Sequence, residues 1–180
     1  MKPPDFEYSW QLDDGTALTI RTMRPDDASI EQDFVRSLSP RSKTLRFFSP
    51  IKELSATALE KFTHTDFPNE MALVATVDQD GIEHEIGVAR YAPSIGSGQV
   101  EFAVVVADDW QGKGIATELL RHLFSIASEV GIDSIEGFIL RDNIPMLRLA
   151  REFGFRIQPD KEDPGIAYAL KDIQKLAGEG

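Results

Sequence analysis

The sequence predicts a single α/β domain built on a mixed sheet, and three observations favour this fold class. The length of 180 residues suits one hydrophobic core. In the second half, strand-like and helix-like patterns alternate as two strand–helix–strand passes. The run from Val100 to Val106 is apolar enough for a strand buried on both faces. No internal repeat, low-complexity segment or linker divides the chain.

The first third is predicted to form a hairpin followed by helices. Asp13-Asp14-Gly15 separates two strand-like runs, and an Asp-Gly pair in that position is a strong hairpin signal. Helical spacing of apolar residues begins after Pro25, and Ser39-Pro40 ends one helix and begins another. The predicted elements are strands Tyr8–Leu12 and Ala17–Arg24, a helix carrying Ile30, Phe34 and Leu38, a helix carrying Leu45, Phe47 and Phe48, and a short helix Ser55–Phe62.

The remaining two thirds are predicted to complete the sheet. Gly131 and Gly154 stand where two amphipathic helices end, as C-terminal glycines commonly do. The predicted elements are strands Met71–Val77, Glu85–Tyr91 and Val100–Val106, a helix carrying Ile115 to Val130, strand Ser134–Leu140, helix Asn143–Phe153 and strand Ile166–Leu170. We therefore expect a mixed central sheet of about six to seven strands flanked by helices.

Composition and charge exclude several classes of function. The absence of cysteine excludes disulfides, thiolate metal sites and a cysteine nucleophile. With 19 basic and 30 acidic residues the net charge is −11, which disfavours a nucleic-acid partner. The deficit is greatest in residues 61–120, where three basic residues face ten acidic ones. An acidic middle third suggests a cationic partner.

Neither a membrane anchor nor a metal site is predicted. The start of the chain, Met1-Lys2-Pro3-Pro4-Asp5, lacks the apolar stretch of a signal peptide, and the longest apolar run, Phe102–Ala107, is only a strand in length. We therefore expect a cytoplasmic protein. The three histidines are too scattered for metal-ligand spacing, and we expect all of them, including His122, at the surface.

The chemically informative segment runs from Val104 to Thr117. It combines a buried strand, a short turn and a helix start with Gly112 and Gly114. Glycines at a helix N-terminus let a ligand approach the unpaired N–H groups, which together with the helix dipole bind anions. A phosphate or diphosphate is therefore the predicted guest, with Lys113 as the local cation.

Three phosphate-loop patterns can be compared with this segment. The Walker pattern fails because Ile115 and Ala116 follow Gly114, and the dinucleotide fingerprint fails because Thr117 replaces its third glycine. What remains is Gln-x-x-Gly-x-Ala, formed by Gln111, Gly114 and Ala116. This pattern resembles the coenzyme A pyrophosphate loop of the GNAT acyltransferases, the GCN5-related N-acetyltransferases.

Two further segments extend the resemblance. Asn143-x-x-Met146, followed by Gly154-Phe155, resembles the second signature of the family. The run Leu38-Ser39-Pro40-Arg41-Ser42, followed by Arg46-Phe47-Phe48, is similar to the GNAT domain of bacterial protein-lysine acetyltransferases. The resemblance implies one GNAT domain over residues 1–180, with a core at about 17–171 and a cofactor-binding half at about 100–155.

The resemblance also implies a donor and the residues that bind it. Acetyl-CoA would be the cosubstrate, its pantetheine arm pairing with the backbone around Val104 and Val106 and its pyrophosphate bound by the amides of residues 112–117. Asn143 would contact the pantetheine arm or serve only as a helix N-cap. The predicted cofactor-binding residues are Val104, Val105, Val106, Gln111, Gly112, Lys113, Gly114, Ile115, Ala116, Thr117 and Asn143, and no metal is predicted.

Glu101 is the predicted general base. A carboxylate between apolar Val100 and Phe102 has its pKa raised towards the value that suits a proton acceptor, although a solvated glutamate at a strand end is the alternative. Many family members place a tyrosine four residues before Gly-Phe as general acid, but Ala150 stands there. Tyr91 and Tyr168 are the available phenols, and no general acid is predicted.

The predicted activity is direct acetyl transfer to a primary amine. A protein lysine is the first acceptor suggested by the resemblance, and a small-molecule amine such as a polyamine or an aminoglycoside is the alternative. The missing tyrosine also leaves open a non-catalytic acyl-CoA-binding sensor. We expect acids around the site to face a cationic acceptor.

Overall fold

In a computed structural model that describes residues 2–173, the chain forms eight strands and five α-helices. The predicted domain limits at residues 1 and 180 lie outside the described range. In chain order the elements are β1 (Glu7–Gln11), β2 (Ala17–Thr22), α1 (Ala28–Ser37), α2 (Pro40–Phe47), α3 (Ala56–Thr63), β3 (Met71–Gln79), β4 (Ile82–Pro93), β5 (Val100–Val106), α4 (Ile115–Glu129), β6 (Ser134–Leu140), α5 (Ile144–Glu152), β7 (Arg156–Pro159) and β8 (Ile166–Asp172).

All eight strands belong to one mixed sheet with the order β1-β2-β3-β4-β5-β6-β8-β7. Neighbouring strands are antiparallel except for β5 and β6, which are parallel and joined through α4. This confirms the predicted fold class. The predicted strand number is too low because β7 was not anticipated. It has only four residues and ends in Pro159, so it is too short to show an alternating pattern.

The sheet separates two apolar layers. Helices α1 to α3 cover one face, where Met23, Phe34, Val35 and Leu38 pack against Val74 and Val88. The longer α4, with α5, covers the other face and buries Leu119, Leu120 and Leu123. Within residues 2–173 none of the helices has the length and hydropathy needed to cross a bilayer.

His122 corrects one expectation about the surface. Its ring centroid lies 4.9 Å from that of Phe6 and 4.6 Å from that of Tyr8, so the N-terminal segment partly covers the side chain, which is 21% exposed. Burial lowers the pKa of His122, which favours the neutral ring. The sequence did not show that the N-terminal hairpin packs over α4, and His122 therefore has a packing role.

The feature that positions the site is the short contact between β5 and β6. Their only paired residues are Val100 with Ile135 and Glu101 with Glu136, and beyond these pairs the strands separate. The ring of Phe102 lies against the backbone of Gly137 at this point, where a Cβ atom would come within 2.5 Å of the ring. A cleft therefore opens between the carboxyl halves of the two strands.

Replacing Gly137 with Ala should force the Phe102 ring or the strand to move. We expect the free energy of unfolding to fall by about 1–3 kcal/mol, as for an overpacked core, measured by urea denaturation. Phe102→Leu in the Gly137→Ala background should recover part of that loss, because the smaller side chain vacates the contact. Equal stability of the Gly137→Ala variant and the parent protein would contradict this account.

Candidate active site

A large cavity lies in the cleft between β5 and β6 and has a volume of about 560 Å³. Its walls come from β5, the loop before α4, the start of α5 and the inward side of α2. Ten of the eleven predicted cofactor-binding residues line it: Val104, Val105, Val106, Gln111, Gly112, Gly114, Ile115, Ala116, Thr117 and Asn143.

The backbone of β5 presents an unpaired edge to this cavity. The Ala107 N–H donates to the Ile86 carbonyl on β4, so by strand alternation the Val105 backbone also faces β4. Val104 and Val106 consequently face the cleft, where β6 provides no strand partner. The Val106 carbonyl instead accepts a hydrogen bond of 3.0 Å from the Gln111 side chain. Val104 can therefore pair with an extended, amide-containing ligand.

The glycine loop leaves the N-terminus of α4 open. Gly112 and Gly114 have φ of +75° and +86°, a conformation that strains other residues. Gly114 occupies the N-cap position without a side-chain cap, so the first N–H groups of α4 are available to an anion. The Trp10 ring lies 3.4 Å from the position that a Cβ atom of Gly114 would take, and thus packs against the loop.

Lys113 lies beside the cavity wall without lining it, and its role as the local cation stays a prediction. It forms an ion pair of 3.8 Å with Asp14 in the β1–β2 turn and is not among the residues that line the cavity. The cavity's basic residues are Arg41 and Arg46 from α2 and Arg148 from α5.

Gln111 holds the wall of the cavity together. Besides its bond to Val106, its side-chain amide donates to the Ser42 hydroxyl at 3.3 Å. Asp108 accepts hydrogen bonds from the Ser39 backbone and hydroxyl and from the Ser42 hydroxyl. The end of β5 is thereby tied to the N-terminus of α2. A direct contact between Gln111 and the cofactor stays a prediction.

Asn143 is an N-cap that also lines the cavity. Its Oδ1 accepts a hydrogen bond from the Met146 N–H at 3.3 Å, which satisfies one free donor of α5. The side chain stands where the large cavity meets a second cavity of about 250 Å³. Both roles considered for this residue are thus compatible with its position.

Glu101 lies half-buried at the last position where β5 pairs with β6. It lines two smaller cavities of about 250 and 220 Å³. Burial raises its pKa; the nearby Arg46 charge opposes that shift, while the Glu136 carboxylate, on the neighbouring strand, adds to it. A carboxylate with a raised pKa next to an open cavity suits proton abstraction.

Both candidate phenols are already engaged. Tyr91 is fully buried and donates to the Pro68 carbonyl at 3.2 Å, and burial raises its pKa to about 12. Tyr168 donates to Glu136 Oε2 at 2.7 Å, and its pKa is also raised to about 12, first by burial and then by that carboxylate. Ala150 is buried on α5. None of the three positions offers a free proton donor.

Sequence reasoning omitted α2 from the site. Arg41, Ser42, Leu45 and Arg46 all line the large cavity. The Ser39-Pro40 helix start was visible in the sequence, but the face of the helix that meets β5 was not. In the sequence, the run from Leu38 to Phe48 therefore indicated the family but not a role in the site.

The acidic middle third does not surround the cavities as expected. Of its ten acidic residues only Glu70 and Glu101 line any of the three. Several others are used within the fold: Glu83 pairs with Arg21, Glu85 is buried, and Asp108 binds the α2 N-terminus. Net charge of the segment is therefore a poor guide to the charge of the acceptor.

Comparison with known proteins places this geometry in a family. The profile described as "Acetyltransferase (GNAT) domain" matches residues 17–156. Acetyltransferase PA5475 of Pseudomonas aeruginosa is 38% identical over 152 residues, which cover 84% of this chain and 82% of that protein. The L-amino acid N-acetyltransferase AaaT of Escherichia coli is 29% identical over 108 residues, 59% of this chain and 64% of AaaT. The chain thus spans less than two thirds of the length of AaaT.

A solved structure agrees with the whole sheet. The crystal structure of the GNAT domain of S. lividans PAT matches with a TM-score of 0.82 at 29% identity, covering 96% of this chain and 99% of that one. The match includes the elements that form the cleft as well as those that form the core. With this fold, this cleft and these relatives, the chain belongs to the GNAT family of acetyltransferases.

Proposed function

We propose that this chain is an acetyl-CoA-dependent N-acetyltransferase that transfers the acetyl group directly to a primary amine, with Glu101 as general base. One observation carries the proposal: β5 holds an unpaired backbone edge at Val104 and a carboxylate with a raised pKa three residues earlier. The donor-binding edge and the base thus lie on one strand, at the junction of three cavities.

The donor would occupy the large cavity. The free N–H groups at the start of α4 suit a pyrophosphate, and Gly112 and Gly114 let it approach the backbone. The pantetheine arm carries amides that can pair with Val104 and Val106 as a neighbouring strand would. This arrangement would bring the thioester to the end of the cleft that faces Glu101.

The transfer needs one proton acceptor for the amine and one hydrogen-bond donor for the oxyanion. The neutral amine nitrogen attacks the thioester carbon, a C–N bond forms, and the tetrahedral oxyanion is stabilised by the backbone N–H of Val104. Glu101 takes the proton of the amine, directly or through water. The C–S bond then breaks, and the thiolate can leave without a general acid because a thiol with a pKa near 8.5 is a tolerable leaving group.

Membership of the family does not by itself identify the acceptor amine. Residues 38–48 resemble bacterial protein-lysine acetyltransferases, which supports a protein lysine as first candidate. The relative AaaT is named for L-amino acids, which supports a small-molecule amine as second. Thiol release from acetyl-CoA with lysine-bearing proteins, polyamines and amino acids tests the activity. Binding of acetyl-CoA without turnover on any acceptor would instead support the sensor.

Replacing Glu101 with Gln should lower turnover by ~10²–10⁴-fold, as expected for a lost general base, while the affinity for acetyl-CoA stays nearly unchanged. Steady-state thiol release and calorimetric titration measure the two effects. Glu129→Gln, on the exposed side of α4, is the matched control and should leave both unchanged. Unchanged turnover in the Glu101→Gln variant would remove this residue from the mechanism.

The pH profile should report the same group. Only ionised Glu101 can accept a proton, and burial with the Glu136 charge raises its pKa. Activity should therefore fall on acidification at a pH above the usual carboxylate range near 4.3, and recover fully when the pH is returned. The measurement is kcat/KM against pH, with circular dichroism at each pH as a control for unfolding. If kcat/KM falls on acidification only with a midpoint below pH 4, the pKa of Glu101 is not raised and the assignment is contradicted.

Replacing Gly114 with Ala should weaken acetyl-CoA binding, because φ of +86° disfavours a side chain and the added Cβ meets Trp10. Gly131→Ala is a matched control: its φ is +83°, nothing lies within 4 Å of its Cβ position, and it follows the other end of α4. Both changes should destabilise the protein by about 1–2 kcal/mol, but only Gly114→Ala should lower the affinity for the donor. Equal donor affinities would contradict the loop assignment.

A further inference from the structure

Arg46 stands where the three cavities meet. It lines the large donor cavity and both smaller cavities, and Glu101 lines the same two smaller ones. The side chain is half-buried near the end of α2. A ligand in any of these spaces can reach its guanidinium.

This guanidinium is influenced by the charges of Glu31 and Glu101, but no carboxylate of residues 2–173 forms an ion pair with it. Within residues 2–173 it forms neither a hydrogen bond nor an ion pair, and it lies instead 4.9 Å from the ring centroid of Phe47 and 5.9 Å from that of Phe62. Other shielded arginines are paired: Arg21 with Asp27 and Glu83, and Arg90 with Glu31. Burial, followed by the charge of Arg90, lowers the pKa of Arg46 to about 10, so it remains protonated at neutral pH.

An unpaired, half-buried cation is costly unless a ligand supplies the counter-charge. The Glu101 charge acts on Arg46 from a distance and opposes the lowering of its pKa, but these two side chains form no ion pair although they face the same two cavities. The cavity of about 220 Å³ also carries Lys61, Glu70 and Arg90, which pairs with Glu31. In the cavity of about 250 Å³, Arg46 and Glu101 are the charged residues, one positive and one negative, and they are held apart. Such a pair complements a molecule that carries both an ammonium group and a carboxylate.

We propose that Arg46 is the centre of a carboxylate-binding subsite and that the acceptor is a free amino acid, an inference that rests on the proposed acetyltransferase function. The carboxylate binds Arg46, and the amine then lies on the side of Glu101 and the thioester. A protein lysine or a polyamine brings only positive charge to this space and leaves Arg46 unpaired.

The cavity that Arg46 shares with Glu101 on the α3 side also selects the rest of the acceptor. It has a volume of about 220 Å³, and Phe62, Met71, Tyr91 and Phe102 contribute apolar surface to it. Lys61 and Arg90 also lie on its lining; Lys61 is exposed, and Arg90 is paired with Glu31. A small amino acid with an apolar side chain fits this volume and this chemistry.

The test compares L-phenylalanine with L-phenylalaninamide, and L-leucine with L-leucinamide, as acceptors for the full chain with saturating acetyl-CoA. Loss of a charge-assisted hydrogen bond to the carboxylate should make kcat/KM ~10- to 100-fold lower for the amides. The amides have the less basic amine, so they should react faster if the carboxylate is not recognised. Equal or higher kcat/KM for both amides, or a clear preference for a lysine-bearing protein or spermidine, would overturn the proposal.

Variants at Arg46 separate recognition from a general loss of fold. Arg46→Gln should abolish the preference for acid over amide, and Arg46→Lys should restore part of it, with acetyl-CoA affinity and thermal stability as controls. Arg36→Gln, which removes an exposed arginine paired with Glu53, should leave the preference intact. If Arg46→Gln only moves the acidic limb of the pH profile and keeps the acid-to-amide ratio, Arg46 tunes Glu101 and the subsite is disproved. Absence of thiol release with every amine would contradict the proposed function itself.

Discussion

The separation of β5 from β6 is the constraint on which the site depends. Two pairs of residues join the strands, and the contact of Phe102 with the backbone of Gly137 lies at the point where they part. A continuous parallel pair would use the backbone groups of Val104 and Val106 in the sheet, and no cleft would exist. The cost of leaving polar backbone groups unpaired is tolerable here because they face a cavity open to water or ligand. The aromatic rings of Phe124 and Phe155 pack on Phe102 and hold it in place.

The second constraint is the attachment of α2 to the end of β5. Asp108 binds the hydroxyls of Ser39 and Ser42, and Gln111 joins Ser42 to Val106. These bonds close one side of the donor cavity and set the direction of α2, and hence of Arg46. The glutamine of the family motif therefore organises the wall as well as belonging to the loop. Changes at Ser39 or Asp108 would act on the acceptor space through α2 without touching either substrate.

The distribution of charge in the fold differs from its distribution in the sequence. Residues 61–120 carry a strong negative charge, yet five of their ten acidic residues are used in turns, ion pairs or helix attachment. Three of the basic residues that line the cavities, Arg41, Arg46 and Arg148, come from α2 and α5, outside that segment. Two others, Lys61 and Arg90, lie within it. Electrostatic arguments about an acceptor therefore need the positions of the charges, because interactions between exposed charges are screened over about 8 Å in physiological salt.

The sequence by itself determined the fold class, seven of the eight strands within residues 2–173, the helix starts at Ser39-Pro40 and Asn143, and the glycine loop. These features rest on local patterns: periodic apolar residues, turn glycines, capping residues and a spaced motif. The tertiary structure decided which side chains share a cavity. Lys113 lies beside Asp14 of the N-terminal hairpin, His122 is partly covered by Phe6 and Tyr8, and Arg46 lines the cavities because α2 packs on β5. Such contacts join residues tens of positions apart, and a local pattern contains no information on which distant face a side chain will meet.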